Sequence, residues 1–205
     1  MSNPYADNVS DAKSLLNGGE ATLNRRKAMI ATLGVGYAAS VIPELSHAAI
    51  STSGSGLVEG EISVDVNGFA VPVYRSMPKG NGPFPVVLVL SEIFGVHEHI
   101  ADITRRFAKL GYMALAPELF IRQGDAQGYA VMADLMKEVI NKVPDAQVMQ
   151  DLDAVVAWAG ANGGDLNRLG VTGFCWGGRQ TWLYAAHQPK IKAGVAWYGR
   201  LVGDT

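Results

Sequence analysis

Cys175 is the only cysteine of the 205-residue chain, and glycine brackets it: Gly173-Phe174-Cys175-Trp176-Gly177-Gly178. A thiol set between a strand and a helix is a candidate nucleophile, because a very sharp turn there holds the central side chain out. The residues two before and two after such a nucleophile are pressed against neighbouring chain. Gly173 and Gly177 are therefore required sterically, and Gly178 lets the following helix pack closely. The turn lifts the sulfur to the carboxyl end of a sheet, where α/β proteins place their sites. It also sets Cys175 and Trp176 at a helix N-terminus, whose positive end favours a thiolate and a developing oxyanion. The alternative is a buried, inert thiol, the commonest fate of a free cysteine. The strand–turn–helix context favours the nucleophile.

A second segment, Ser91-Glu92-Ile93-Phe94-Gly95-Val96-His97-Glu98-His99, follows another apolar strand. In this architecture the loop after that strand supplies one oxyanion-hole amide, and the residue after the nucleophile supplies the other. These are the amides of Ile93 and Trp176. Glu92 lies where a buried strand ends, an expensive place for a carboxylate without a partner. Two readings of it stand open: a charge partner of the Cys175 thiol or of an arginine, and a structural acid that binds a loop. His97 and His99 read as a surface helix start near the mouth of the site, able to touch substrate but not to act as bases. Their i, i+2 spacing points the two imidazoles to different faces of a helix, so no metal site is indicated. The glycines of residues 160–164 lack the helix and Lys of a phosphate loop, so no cofactor is indicated either.

These segments need a scaffold, and the rest of the sequence describes one. Residues 61–66 alternate polar and apolar, Asn67-Gly68 is a hairpin turn, and residues 69–74 continue the ribbon. Residues 86–90 form a continuous apolar run of the kind buried on both faces of a parallel sheet. Ile100, Ile103, Phe107 and Leu110 are spaced for one helix face over 98–110, which Gly111 ends. A strand over 112–116 stops at Pro117. Helices are predicted over 129–141 and 145–161, a strand over 168–172, a helix over 178–187 and a strand over 193–197. Strand–helix alternation at this spacing predicts right-handed βαβ units: an α/β fold with a mostly parallel sheet flanked by helices.

The N-terminus follows a different plan. Asn24-Arg25-Arg26-Lys27 precedes the uncharged residues 28–42, and Ser46-His47-Ala48 follows. That is the order of a charged region, an apolar region and a small-x-small cleavage site in an export signal. The 15-residue apolar stretch is shorter than the roughly 18–20 needed to span a bilayer. The adjacent arginines resemble a twin-arginine (Tat) signal, which would engage export machinery through Arg25 and Arg26. A Sec-type signal is the alternative, since Phe-Leu does not follow Arg26. Residues 1–48 are thus assigned to signal and N-terminus, 49–56 to a Ser/Gly linker and 57–205 to the domain. The expected location is periplasmic or secreted, with no stable membrane anchor after cleavage. A net charge of −2 argues against nucleic acid and acidic membranes as partners, and one cysteine excludes an internal disulfide framework.

Gly173-Phe174-Cys175-Trp176-Gly177-Gly178 and Glu92-Ile93-Phe94-Gly95-Val96 resemble the paired motifs of the dienelactone hydrolase family, carboxymethylenebutenolidase-like α/β-hydrolases. So do Ala114-Leu115-Ala116-Pro117-Glu118-Leu119-Phe120 and the strand ending Trp197-Tyr198-Gly199. The resemblance runs from about Leu57 onward. It implies an α/β-hydrolase fold, a Cys175 nucleophile and an oxyanion hole from Ile93 and Trp176. It further implies that Glu92 holds the thiol at rest and moves to other partners when substrate binds. The implied chemistry is acyl transfer from a small ester or lactone through a thioester, then hydrolysis.

Such a nucleophile needs an acid and then a histidine later in the chain. After Cys175 the sequence holds only His187 and Asp204. His187 is twelve residues along the elbow helix, ~18 Å away at 1.5 Å per residue, and suits the helix C-terminus better. Asp204 comes too early. The expectation is therefore a domain cut after about the sixth strand, inactive alone, whose triad Asp and His follow Thr205 in roughly 70–90 further residues. The relative acting on dienelactone binds its carboxylate with arginines, one of them between the fourth strand and the elbow. Residues 126–161 hold none; Lys137 and Lys142 there read as solvated helix residues. A competing reading is a complete, non-catalytic α/β module that binds a ligand or partner. It would leave the strand ending at Trp197 as an edge with an exposed apolar face.

Overall fold

The computed structural model describes residues 51–201. The expected export signal with Arg25 and Arg26, the start of the linker and Asp204 lie outside the described residues. Six strands form one sheet in the order β1-β2-β4-β3-β5-β6. They are β1 (Leu57–Val66), β2 (Phe69–Pro78), β3 (Phe84–Leu90), β4 (Met113–Pro117), β5 (Gly164–Phe174) and β6 (Ile191–Trp197). The helices are α1 (Glu98–Lys109), α2 (Met132–Glu138), α3 (Asp145–Ala161) and α4 (Trp176–His187). β1 and β2 pair antiparallel, β2 joins β4 antiparallel, and β4, β3, β5 and β6 run parallel. With helices on both faces this is the α/β-hydrolase arrangement.

The reason for the apolar run in β3 is visible in its neighbours. Val86, Leu88 and Leu90 join a cluster with Val148, Leu152, Val155 and Val156 of α3 and Tyr184 of α4. Val89 faces the other way, against Ile100 of α1 and Ala116 of β4, with Ile103 and Phe107 packed around them. Alternate side chains enter opposite cores, so a strand covered on both sides has no polar face. The Asn67-Gly68 hairpin also forms as expected. Both residues take the left-handed conformation, with φ of 54° and 85°, and Val66 pairs with Phe69.

β1 and β2 run four residues past expectation at their outer ends, Leu57 and Pro78, which pair with each other, and three further differences have a visible cause. The helix over 129–141 shrinks to α2 and a 3₁₀ turn at Ile140–Lys142. Val139, at φ −120° and ψ −68°, breaks the helix, and it is buried beside Ile140 with Phe120 and Leu135. Burying two successive apolar residues in one cluster overrides the helical period. β5 begins at Gly164 rather than 168, because Gly164 and Asp165 extend the ladder along Phe84 and Pro85 before a register shift. Leu110 caps α1 and is 74% exposed, although its spacing fits the buried face. It borders a groove of about 540 Å³ lined by Ile103, Phe107, Val171, Phe174, Val195 and Trp197. β6 is the last strand of the described sheet, and Val195 and Trp197 are 46% and 50% exposed.

Two carboxylates on α3 tie it to the elbow helix α4. Asp145 accepts from Arg179 Nη1 at 2.6 Å and Nη2 at 2.9 Å, and from Gln180 Nε2 at 2.9 Å. Asp153 accepts from Tyr184 Oη at 2.9 Å and pairs with His187 Nε2 at 2.8 Å. His187 is thus engaged at the far end of α4.

Candidate active site

Cys175 sits between β5 and α4 at φ 54° and ψ −114°, a strained conformation for any residue with a Cβ. Backbone contacts hold it there. Its amide donates to Trp197 O at 3.0 Å, and its carbonyl accepts from Arg179 N at 3.2 Å. The three glycines are filled in from all sides. A Cβ on Gly173 would stand 2.3 Å from Gly177 O. One on Gly177 would stand 2.4 Å from Ser91 O and 2.5 Å from Leu90 O, and one on Gly178 would stand 2.5 Å from Trp197 O. Every nearest neighbour is backbone, which cannot swing aside. Gly199 extends the pattern, since its Cβ would meet Arg179 N at 2.4 Å.

The contact of Gly177 with Leu90 and Ser91 brings the elbow against the end of β3, where the second segment begins. Glu92 is buried, 2% exposed. Its Oε2 lies 3.1 Å from His97 Nε2. His97 is therefore more than a surface helix residue. It is the N-cap of α1, and its side chain is only 15% exposed and turned onto Glu92. His99 stays exposed and stacks on His97 with ring centroids 6.2 Å apart. Ile93 and Phe94 pack against the Phe120 cluster together with Trp176, whose ring is 4.6 Å from that of Phe120. The Ile93 and Trp176 segments thus meet over one apolar patch beside the thiol.

The surroundings of that thiol favour its protonated form. Burial pushes the Cys175 thiol above its ordinary value; the Trp176 amide, a donor to the sulfur, opposes this, and the Glu92 charge adds to the rise. Glu118, at the end of β4, has its carboxyl raised mainly by burial, with the Val96 amide opposing. That amide donates to Glu118 Oε2 at 2.8 Å.

Sequence reasoning missed the His97–Glu92 pair and Glu118. The first joins residues five apart across a loop, which no helical or strand period marks. Glu118 did carry a signal, a carboxylate directly after a buried strand, as Glu92 is. Arg122, just outside the arginine-free window, is turned to the scaffold. It donates to Asp151 Oδ2 at 2.6 Å and lies 4.4 Å over the Phe69 ring. Lys137 and Lys142 pair with Glu138 and are 78% and 54% exposed. Among the described residues no group of three or more His, Cys, Asp or Glu could hold a metal.

Comparison with known proteins gives one direction. The profile of the dienelactone hydrolase family matches residues 71–204. A protein of Methylorubrum extorquens AM1 named "Putative carboxymethylenebutenolidase" is 54% identical over 197 residues, 96% of this chain and 67% of its own. One of the same name in Escherichia coli K12 is 51% identical over 177 residues, 86% of this chain and 65% of its own. In three dimensions the chain resembles the "Putative Dienelactone Hydrolase" of Klebsiella pneumoniae subsp. pneumoniae MGH 78578. The TM-score is 0.71 at 57% identity, covering 73% of this chain and 62% of that one. The chain spans about two thirds of the length of these relatives.

Two outcomes test the geometry. Gly177→Ala forces a methyl onto two backbone carbonyls, so it should cost at least about 3 kcal/mol in urea denaturation. A loss below about 1 kcal/mol would mean the elbow does not touch β3. Glu92→Gln removes a charge that raises the Cys175 pKa. The pH profile of iodoacetamide alkylation should therefore move to lower pH, with a several-fold faster rate at neutral pH. A shift to higher pH would contradict the placement of Glu92.

Proposed function

The chain belongs to the dienelactone hydrolase family, and from that premise we propose that it cleaves an ester or lactone with Cys175 as nucleophile. The observation that carries this reading is the strained turn at Cys175, φ 54°, with the Trp176 amide directed at the sulfur. The Cys175 thiol passes its proton to the neighbouring Glu92 carboxylate, and the thiolate attacks the carbonyl carbon, forming a C–S bond while the carbonyl electron pair moves onto oxygen. The amides of Ile93 and Trp176 receive that oxyanion. Its collapse restores C=O and expels the alkoxide, which takes up the proton that the thiol gave to Glu92. Water then hydrolyses the thioester and returns the thiol.

Glu92 suits both states of this cycle. At rest its charge keeps the thiol protonated, and His97 offers its carboxylate a partner beside the sulfur. The deacylating base is a histidine oriented by an acid, and we assign both to residues that follow Thr205 in a longer reading frame. In support, the matched segment covers only 67% and 65% of the two curated relatives, and His187 is engaged with Asp153. The portion described here is then acylated once without turning over. The substrate is a neutral ester or lactone: Ile93, Phe94 and Trp176, the residues flanking the two turns, pack on the apolar cluster of Phe120, and the guanidinium of Arg122 is committed elsewhere.

The test is stoichiometric. p-Nitrophenyl acetate should release about one equivalent of p-nitrophenolate per chain, with mass spectrometry finding the acetyl group on Cys175. Cys175→Ala should release none above the buffer rate. Equal release from both proteins would remove Cys175 from the chemistry. The longer frame should turn over continuously and lose that turnover with Cys175→Ala.

Export is part of the same proposal, supported by Arg25-Arg26 before an uncharged stretch. Replacing both arginines by lysine should retain the protein in the cytoplasmic fraction. Undiminished periplasmic yield would leave a Sec-type signal as the reading.

A further inference from the structure

Glu118 is fixed by the sheet rather than by the site it faces. It follows Pro117, the last residue of β4, and its amide donates to Pro72 O of β2 at 2.9 Å. From that anchor the side chain reaches the loop after β3, where Oε2 accepts from Val96 N at 2.8 Å. The loop lies flat on this carboxylate. Gly95 has φ 71°, and a Cβ there would stand 2.6 Å from Oε1 and 2.8 Å from Oε2. Only glycine satisfies both the backbone angle and the contact. Beyond it, His97 N donates to Gly95 O at 3.1 Å, and the His97 ring returns to Glu92 at 3.1 Å. The loop that carries the Ile93 amide therefore closes on itself through Glu92 and His97. At Val96 it is fixed to the scaffold mainly by Glu118, which takes the amide at 2.8 Å, while Gln127 Nε2 donates to the Val96 carbonyl at 3.4 Å.

We propose that Glu118 is a positioning residue for the oxyanion hole, a carboxylate clamp that holds the Val96 amide so that the Ile93 amide faces the carbonyl attacked by Cys175. This rests on the ester-hydrolase reading above and adds a residue to it. Glu118 acts through backbone, from the Val96 amide that it holds back to Ile93 three residues earlier. Ile93 and Phe94 pack on Phe120, two residues after Glu118, so clamp and apolar wall come from one turn after β4. A residue that only supported the fold would weaken every reaction of the site alike. A clamp on one amide affects only reactions that develop an oxyanion.

Two reactions of the same thiol separate these roles. p-Nitrophenyl acetate acylates Cys175 through a tetrahedral oxyanion and expels p-nitrophenolate. Iodoacetamide alkylates it by displacing iodide at a saturated carbon, with no oxyanion. The ratio of the two rate constants isolates the hole from the reactivity of the sulfur. Glu118→Ala and Glu118→Asp, which remove or withdraw the acceptor, should lower that ratio about tenfold. Glu118→Gln keeps an acceptor for Val96 and should stay within about threefold of the unsubstituted chain. Should the Ala variant fail to fold, the Asp and Gln variants carry the same comparison. An unchanged ratio in the Asp or Ala variant, or an equal loss in the Gln variant, overturns the clamp. If the unsubstituted chain is not acylated at all, the ester-hydrolase reading falls and the clamp with it. Normal acylation with an unchanged ratio removes the clamp alone.

Discussion

Everything at this site depends on one backbone-to-backbone contact, the seat of Gly177 on the carbonyls of Leu90 and Ser91. No flexible side chain lies between the two segments, so neither moves without the other. The contact exists because β3 and β5 are parallel neighbours with Leu90 opposite Gly173. Both strands end at the same level, and both turns leave from there. A slip of one residue in that register would exchange the faces of every β5 side chain and separate the thiol from the loop that serves it. The buried valines and leucines of β3 thus have a chemical consequence: they set the level at which the two turns meet.

The two glutamates follow the same logic one strand apart. β3 ends at Leu90 with Glu92 just beyond, and β4 ends at Pro117 with Glu118 next. Parallel neighbours deliver their following residues side by side, so the loop from Ile93 to His97 lies between two carboxylates. One bears on the sulfur, raising its pKa, and the other on the backbone of the loop. Burial and a nearby negative charge together keep the resting thiol neutral, which lowers its reactivity toward oxidants and stray electrophiles.

The fold was largely legible in the sequence, because its signals are local. The β3 run, the Asn-Gly hairpin and the helix over 145–161 follow from period and turn chemistry alone. The elbow was legible for a steric reason: glycines at fixed distances from a single cysteine describe a turn with no room around it. The illegible parts depend on what lies across space. Val139 and Ile140 give up a helical turn to fill the cluster around Phe120, and Leu110 has the spacing of a buried residue but stands exposed at the end of α1 among the described residues. His97 has the sequence context of a helix start, and only the fold of the loop turns it onto Glu92.

The open side of β6 matters for how the molecule is made. The nucleophile turn is closed by the carbonyl of Trp197 and the close approach of Gly199, the end of the last described strand. The elbow therefore takes its final shape only when synthesis has passed that point. Among the described residues, Val195, Trp197 and the apolar groove beside α1 stand exposed along this same strand. An unpaired apolar strand is the kind of surface that associates with other chains. One strand thus both closes the reactive turn and carries exposed apolar side chains, so the chemistry of the site and the risk of association are tied to the same element.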